Sequence, residues 1–598
     1  MGTLSFTLLI PALGTATSGR APRYVSPSTA SVSVALQGQP TPLATINLSA
    51  GSAACSSVPS GTQCTASVAA PVGNDTFTVT TFDAPNGTGH QLSTSTLAAT
   101  IVANATNTVA LVLNGVVDHA GIILGTSSLT VGTPSSVSVT VVAYDAAGNV
   151  IVGPGPYSSP VTLADSDTSG ATTLSTTSLV AAGTNVTLAY TGGSLPAGAT
   201  ITPTIGGHPG TTATLTATGY AFADFSLPAS DPNYTDVMAP GPGDGNVWYA
   251  TYGIIGKMSI HGQATEYTTA NGVPLTNIYG LTAGPGGTMW FGDDSGDIGT
   301  ISASGIVTFS NSFAPPVPGC GISGGKGGAS YRRAKGLGSS ACGSINWMVA
   351  GPDGNVWFSD GNAMIGRVDP SGNVAEWQIT SLSGWPGGGS NPWQIAFAAD
   401  GNLYVADGGG TIDRITVAGG APTGVSAVTL PTNCASYALT IGPDGNVWFA
   451  DACANVGTIA PSTFPNGLLM WSVAGVTENR TLYYLASSPG GVWGTDDDYA
   501  VYRLTGFAGV SASTSPAITP INPFGDAYSS PYAICIGPDG NVWVAEDEYT
   551  PVAFAKIAYG APGTGPLSTV RGLPAAAHRT TTSGGSRGHL GHHATLRP

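Results

Sequence analysis

Short alternations of apolar and polar residues run through the first 218 residues. Ser31-Val-Ser-Val-Ala35, Thr76-Phe-Thr-Val-Thr80 and Ser136-Val-Ser-Val-Thr-Val-Val142 each place an apolar residue at nearly every second position. Successive side chains of an extended chain point to opposite faces, so the pattern predicts strands buried on one side. Turn residues separate them, as in Asp145-Ala-Ala-Gly-Asn149. The spacing predicts two small β-sandwich modules, over residues 1–115 and 116–220. The apolar start, Leu4-Ser-Phe-Thr-Leu-Leu-Ile-Pro11, lacks the basic flank of a secretion signal. It reads as a strand of the first module, with any signal missing from this start.

From 221 to 560 the pattern becomes a repeat. Gly351-Pro-Asp-Gly-Asn-Val-Trp-Phe358, Gly442-Pro-Asp-Gly-Asn-Val-Trp-Phe449 and Gly537-Pro-Asp-Gly-Asn-Val-Trp-Val544 are its clearest copies, with weaker ones centred on Trp248, Trp290, Tyr404 and Trp493. The seven aromatic anchors lie 42, 67, 47, 44, 45 and 50 residues apart, which suits propeller blades of four strands. In each repeat an apolar strand A leads through the Pro-Asp-Gly-Asn turn into strand B, which carries the anchor. Strand C follows, as in Ile365-Gly-Arg-Val368, and then an outer strand D, as in Ala375-Glu-Trp-Gln-Ile379. The last repeat stops after strand C near Ala555-Lys-Ile-Ala558, while Ala223-Asp-Phe-Ser-Leu-Pro228 is an orphan strand D upstream of the first. Pairing the two would close a ring and remove its exposed edges. The expected fold is therefore all-β: two sandwiches, a seven-bladed propeller over 221–560 and a disordered tail over 561–598.

Composition agrees and narrows the function. Charged residues make up only 8% of the chain and Gly (86) with Pro (44) about a fifth, which excludes coiled coils and helical bundles. With 32 acids against 16 bases the net charge is −16, a field that repels nucleic acid and anionic membranes. No apolar run is long enough to span a bilayer as a helix. The seven cysteines fall as Cys55/Cys64, Cys320/Cys342 and Cys434/Cys453 with Cys535 left over, and no zinc spacing occurs. Disulfides and few lysines point to an extracellular or cell-envelope protein.

The Gly-Pro-Asp-Gly-Asn-Val-Trp-Phe unit, followed by Ile-Gly-Arg and a strand D, resembles the virginiamycin B (streptogramin) lyase family over about 340 residues. The two N-terminal modules resemble bacterial immunoglobulin-like domains. The lyase resemblance implies a seven-bladed propeller that opens a cyclic depsipeptide by elimination at its ester. It also implies His residues just ahead of strand A in two successive blades, with carboxylates holding Mg²⁺. Here Tyr532 and Leu482, beside Tyr483, stand at the His positions, and Ser530 replaces the metal-binding Glu. Asp547 still matches the later carboxylate and is the one candidate metal ligand. The only histidine among the repeats, His261, falls on a C-to-D turn. A tyrosine, with an ordinary pKa of about 10, is a poor base.

Strand alternation brings the D-to-A and B-to-C connections to one face. Tyr279, Trp393, Tyr437 and Tyr532 lie eleven residues before their anchors. Asp293, Asp360, Asp407, Asp451, Asp496 and Glu546 lie three residues after theirs, with Thr251 breaking the series. One reading is an acidic, aromatic-lined mouth; candidate ligand-binding residues are Tyr279, Trp393, Tyr437, Tyr532, Asp360, Asp407, Asp451 and Glu546. The other pairs the acids with Lys257, Arg367, Arg414, Arg503 and Lys556 of strand C, and ion pairs ordinarily stabilise rather than catalyse. An insertion between Ala314 and Ile345 carries Cys320, Cys342 and four bases, and would project over the same mouth. Three functions follow: a monomer binding a peptide, glycan or protein at the mouth, a metal-dependent carbon–oxygen lyase with rearranged groups, or a structural surface protein with no small ligand.

Overall fold

The computed structural model describes residues 1–12, 25–49, 51–152, 156–228, 235–251, 253–270, 273–275, 277–294, 296–309, 344–387, 390–431, 434–473, 482–496, 500–524, 531–546 and 553–561. Cys320, Cys342, Asp547 and the C-terminal histidines lie outside them. Among the described residues the elements are strands and three single-turn 3-10 segments. Two compact units are present, one built on Met1–Ala221 and the other on Phe222–Pro538 with Val542–Ile557.

In the first unit the alternating segments form two pairs of sheets. One pair joins strands 55–58, 61–70, 2–11 and 106–108 in one sheet, and 44–47, 31–36, 73–82, 91–101 and 114–115 in the other. Leu4, Phe6, Val32, Val34, Phe77 and Val79, the apolar members of the alternation, form its core. Cys55 and Cys64 face each other across two paired strands and form a disulfide. In the second pair, Val137, Val139, Leu188, Tyr190, Ile201 and Leu215 are the core. The Asp145 turn closes on itself, since Asp145 Oδ1 accepts the backbone N–H groups of Ala147 and Asn149. Asn149 Nδ2 then donates to Ser28 Oγ at 2.9 Å, outside its own turn.

The second unit holds seven four-stranded antiparallel sheets. In the first six, strands A to D follow in chain order, as in Ile345–Ala350, Val356–Asp360, Met364–Val368 and Val374–Gln378 of the third sheet. The seventh holds Pro531–Ile536, Val542–Glu546 and Ala553–Tyr559, and its strand D is Tyr220–Ser226, from just upstream of the first sheet. Phe225 stacks on Trp543 at 5.3 Å in this sheet. Each strand A contacts the strand A of the next sheet, and that of the seventh contacts that of the first, so the array is a closed ring.

The repeat motif is explained by its turn. The Asp of Pro-Asp-Gly-Asn accepts the backbone N–H of the Asn two residues on, and the Asn side chain as well, as Asp353 does from Asn355. The same carboxylate takes the anchor's polar handle: Trp357 Nε1 to Asp353 at 3.2 Å, Trp448 Nε1 to Asp444 at 3.0 Å and the Tyr404 hydroxyl to Asp400 at 3.0 Å. A buried indole needs such a partner. The following Gly takes a positive φ, 76° at Gly354, where a β-carbon would be strained. The second sheet has Gly286-Gly287 in place of Asp-Gly, and there Trp290 Nε1 has no partner among the described residues.

The anchors are wedges between sheets. Trp248 packs with Leu281 and Phe291 of the second sheet, Trp357 with Ile395 and Val405 of the fourth, and Trp543 with Met238 and Tyr249 of the first. The bases of strand C stand directly opposite the anchors, as Lys257 opposite Trp248 and Arg503 opposite Trp493. In this register they face the anchors and not the acids, which stand three residues further along strand B, as Asp360 does opposite Met364. Lys257 donates to the Ala303 carbonyl and Arg367 to that of Gly420, each in the next sheet, while Arg503 donates to Gly490 of its own A–B turn. Lys556 of the seventh sheet donates to the Ile260 carbonyl of the first at 2.8 Å, a staple across the closure.

Candidate functional site: an aromatic mouth on the ring

The pairing of strand A with strand B slips near the start of strand A in every sheet. Such a bulge re-aims the side chains of the residues it carries. The bulged residues are Asp236, Tyr279, Asn346, Trp393, Tyr437, Tyr483 and Tyr532, in sheet order. Tyr279, Trp393, Tyr437 and Tyr532 thus occupy one structural position. Leu482 does not share it: this residue pairs with Asp496 and is buried in the core. The sixth A–B turn is one residue shorter, so counting back from Trp493 overshoots, and Tyr483 is the equivalent ring.

Four of these rings form a continuous arc over sheets four to seven. Trp393 meets Tyr437 edge-on at 5.2 Å, Tyr437 stacks with Tyr483 at 6.5 Å, and Tyr483 meets Tyr532 at 5.6 Å. Ser359 Oγ donates to the Trp393 carbonyl at 2.6 Å and Thr495 Oγ1 to the Tyr532 carbonyl at 2.5 Å, so each bulge is fixed by the preceding sheet. Asn346 Nδ2 donates to the Pro392 carbonyl at 2.8 Å, and Gln394 Oε1 accepts the Leu439 N–H at 2.7 Å.

The next residue along two of the strands supplies a floor. Tyr484 of the sixth sheet meets Tyr532 at 4.9 Å and Trp347 of the third at 5.7 Å. Sheets three and six are not neighbours in the ring, so this contact crosses its axis. The Tyr484 hydroxyl also donates to the Asp236 carbonyl of the first sheet at 2.9 Å. Trp347, Tyr483 and Tyr484 were not among the sequence candidates. Only the register of the bulge identifies them.

The acids at the ends of strands B are withdrawn from solvent, as is the Tyr532 ring. Asp360, Asp407, Asp451 and Glu546 are all buried, as are Asp293 and Asp496. Several act as caps of their own B–C turns: Asp360 accepts the Asn362 N–H at 2.7 Å, and Asp451 those of Cys453 and Asn455. Asp407 accepts Gly409 N–H at 2.7 Å, Asn391 N–H at 3.0 Å and Ser390 O–H at 2.6 Å. Burial pushes the Asp360 carboxyl up to about 6 and raises the Tyr437 phenol, which stays neutral. A disulfide, Cys434–Cys453, ties the start of the fifth sheet to its B–C turn.

Mg²⁺ requires near-octahedral oxygen ligands. These buried carboxyls take backbone donors, and no group of three His, Cys, Asp or Glu able to hold a metal occurs among the described residues. The described residues do not fit such a site, and Asp547 lies outside them. His261 is exposed on the C-to-D turn between Ser259 and Ala264, at the other end of the strands.

A closed ring of four-stranded antiparallel sheets defines a β-propeller. No family model matches the chain, and no curated protein does. It is similar in structure to a streptogramin B lyase, at 20% identity and a TM-score of 0.43 over 57% of this chain and 98% of that one. It is also similar to the WD40 β-propeller domain of Doa1, at 12% identity and a TM-score of 0.39 over 57% and 97%. A structural genomics protein of unknown function from Bacteroides thetaiotaomicron matches at 15% identity and a TM-score of 0.40 over 73% and 98%. Two disulfides among the described residues accord with an oxidising compartment, and no helix there is long and apolar enough to cross a membrane.

Proposed function

We propose that the chain is an extracellular or envelope-exposed binding protein. Two immunoglobulin-like modules, 1–115 and 116–220, carry a seven-bladed propeller over 221–560 that takes a neutral glycan or peptide at its mouth. The supporting observation is the run of Trp393, Tyr437, Tyr483 and Tyr532, at one register position and in mutual contact. Rings with polar tips give flat, rigid contact area at small entropic cost. The nearby carboxyls are engaged in turns, which leaves stacking and the phenol groups as the means of recognition. Acid–base chemistry of the lyase kind has no imidazole at these positions.

Glycan and peptide arrays probed with the wild type and with Trp393→Ala and Tyr483→Ala test this reading. The expected result is a defined set of bound probes whose signal falls at least tenfold in both variants, with unchanged thermal midpoints. Signal that survives both substitutions overturns it, as does saturable opening of a streptogramin B by the wild type.

A further inference from the structure

Four of the seven sheets share one packing pair between strands B and C, and the fourth sheet replaces it with a buried acid. The residue after the anchor on strand B faces a residue of strand C directly across the ladder. Four sheets pair an aromatic ring with glycine there: Tyr249 with Gly256, Phe291 with Gly299, Phe358 with Gly366 and Phe449 with Gly457. A β-carbon on each of these glycines would lie 2.0 to 2.3 Å from the ring, so the ring fills the glycine's place. The sixth sheet inverts the pair, with Gly494 opposite Tyr502, and the seventh has Val544 opposite Ala555. Only the fourth sheet places a carboxyl group at the position, Asp413 opposite Val405.

Asp413 has no exposed surface. Its Oδ1 accepts the Thr411 hydroxyl at 2.8 Å, while Oδ2 is buried without a hydrogen-bond donor among the described residues. A buried carboxylate oxygen left without a donor is costly, and a neutral acid removes that cost. Beside it stands Asp407, also without exposed surface, which already takes its three donors from Ser390, Asn391 and Gly409. Burial first, and then the charge of Asp407, raise the Asp413 carboxyl well above its ordinary range. Val405 and Ala427 are its apolar partners on the flanking strands. The next residue, Arg414, lies over Phe464 of the fifth sheet at 5.1 Å.

We propose that Asp413 is held as a neutral acid whose proton is shared with Asp407, and that losing this proton frees the strand start Ser390–Trp393. Two like charges in one dry site repel. Asp407 is what ties Ser390 and Asn391, three and two residues before the first ring of the aromatic arc. The pair is thus a proton-operated latch on one side of the mouth, closed while Asp413 holds its proton and opened as pH rises and the proton leaves to solvent. It requires no particular ligand and stands whether or not the mouth binds glycans.

Amide hydrogen exchange of Ser390, Asn391, Trp393 and Gln394 in the full chain, corrected for the intrinsic pH dependence of exchange, tests the latch between pH 6 and 9. In the wild type protection should fall at least tenfold over this range. In Asp413→Asn, which keeps the shape without the proton, it should stay level. Val405→Phe/Asp413→Gly, which copies the ring-on-glycine pair of four other sheets, should also stay level and serves if the single variant folds poorly. Level protection in the wild type, or an equal fall in all three proteins, overturns the proposal.

Discussion

Phe358 fills the place that a side chain at Gly366 would take. The two residues face each other across strands B and C of the third sheet, and a β-carbon at 366 would stand 2.0 Å from the ring's Cζ. No backbone freedom is involved; the glycine is there because the ring is.

Gly366→Ala should therefore destabilise the protein by about 1–3 kcal/mol, the usual cost of forcing volume into a packed core. The change should be read as a lower urea midpoint. An unchanged midpoint would mean that the ring is free to move aside.

The turn carboxylates supply an acid-side dependence. Burial alone would raise Asp353, but hydrogen bonds from Asn355 and then Trp357 outweigh it and hold the group below its ordinary value of 3.8. A group depressed on folding contributes stability above its unfolded pKa and loses it as pH falls through the folded value. Urea midpoints should fall below about pH 4. Asp353→Asn should flatten part of that limb, and a slope identical to wild type would remove Asp353 from the account.

Closure of the ring depends on the strand borrowed from upstream. Deleting residues 221–229 would strip the outer strand from the seventh sheet and remove Phe225 from Trp543. The melting temperature of the ring should drop steeply. Phe225→Ala should lower it by less, and a deletion variant melting like wild type would rule out a closing role for this strand.

The repeats were legible because their residues are structurally obligatory. Asp353, Gly354, Asn355 and Trp357 form one hydrogen-bonded turn, so Asp-Gly-Asn and a ring two residues on recur wherever the chain makes it. The same fact misdirects a functional reading, since Asp360, Asp407 and Asp451 recur as turn caps rather than as a rim. Tyr279, Trp393, Tyr437 and Tyr532 could be found by counting because their A–B turns are equal in length. Tyr483 could not, because Ser488-Pro-Gly-Gly491 is shorter. Trp347 and Tyr484 carry no local signal: they are 137 residues apart and meet only because the chain returns on itself.

That meeting allows the most direct test of a circular array with a single mouth. A double-mutant cycle on Trp347→Ala and Tyr484→Ala, read by urea unfolding, measures whether sheets three and six touch across the axis. Contact predicts a coupling of about 0.5–1.5 kcal/mol between the two substitutions. Effects that simply add, within about 0.3 kcal/mol, would contradict it.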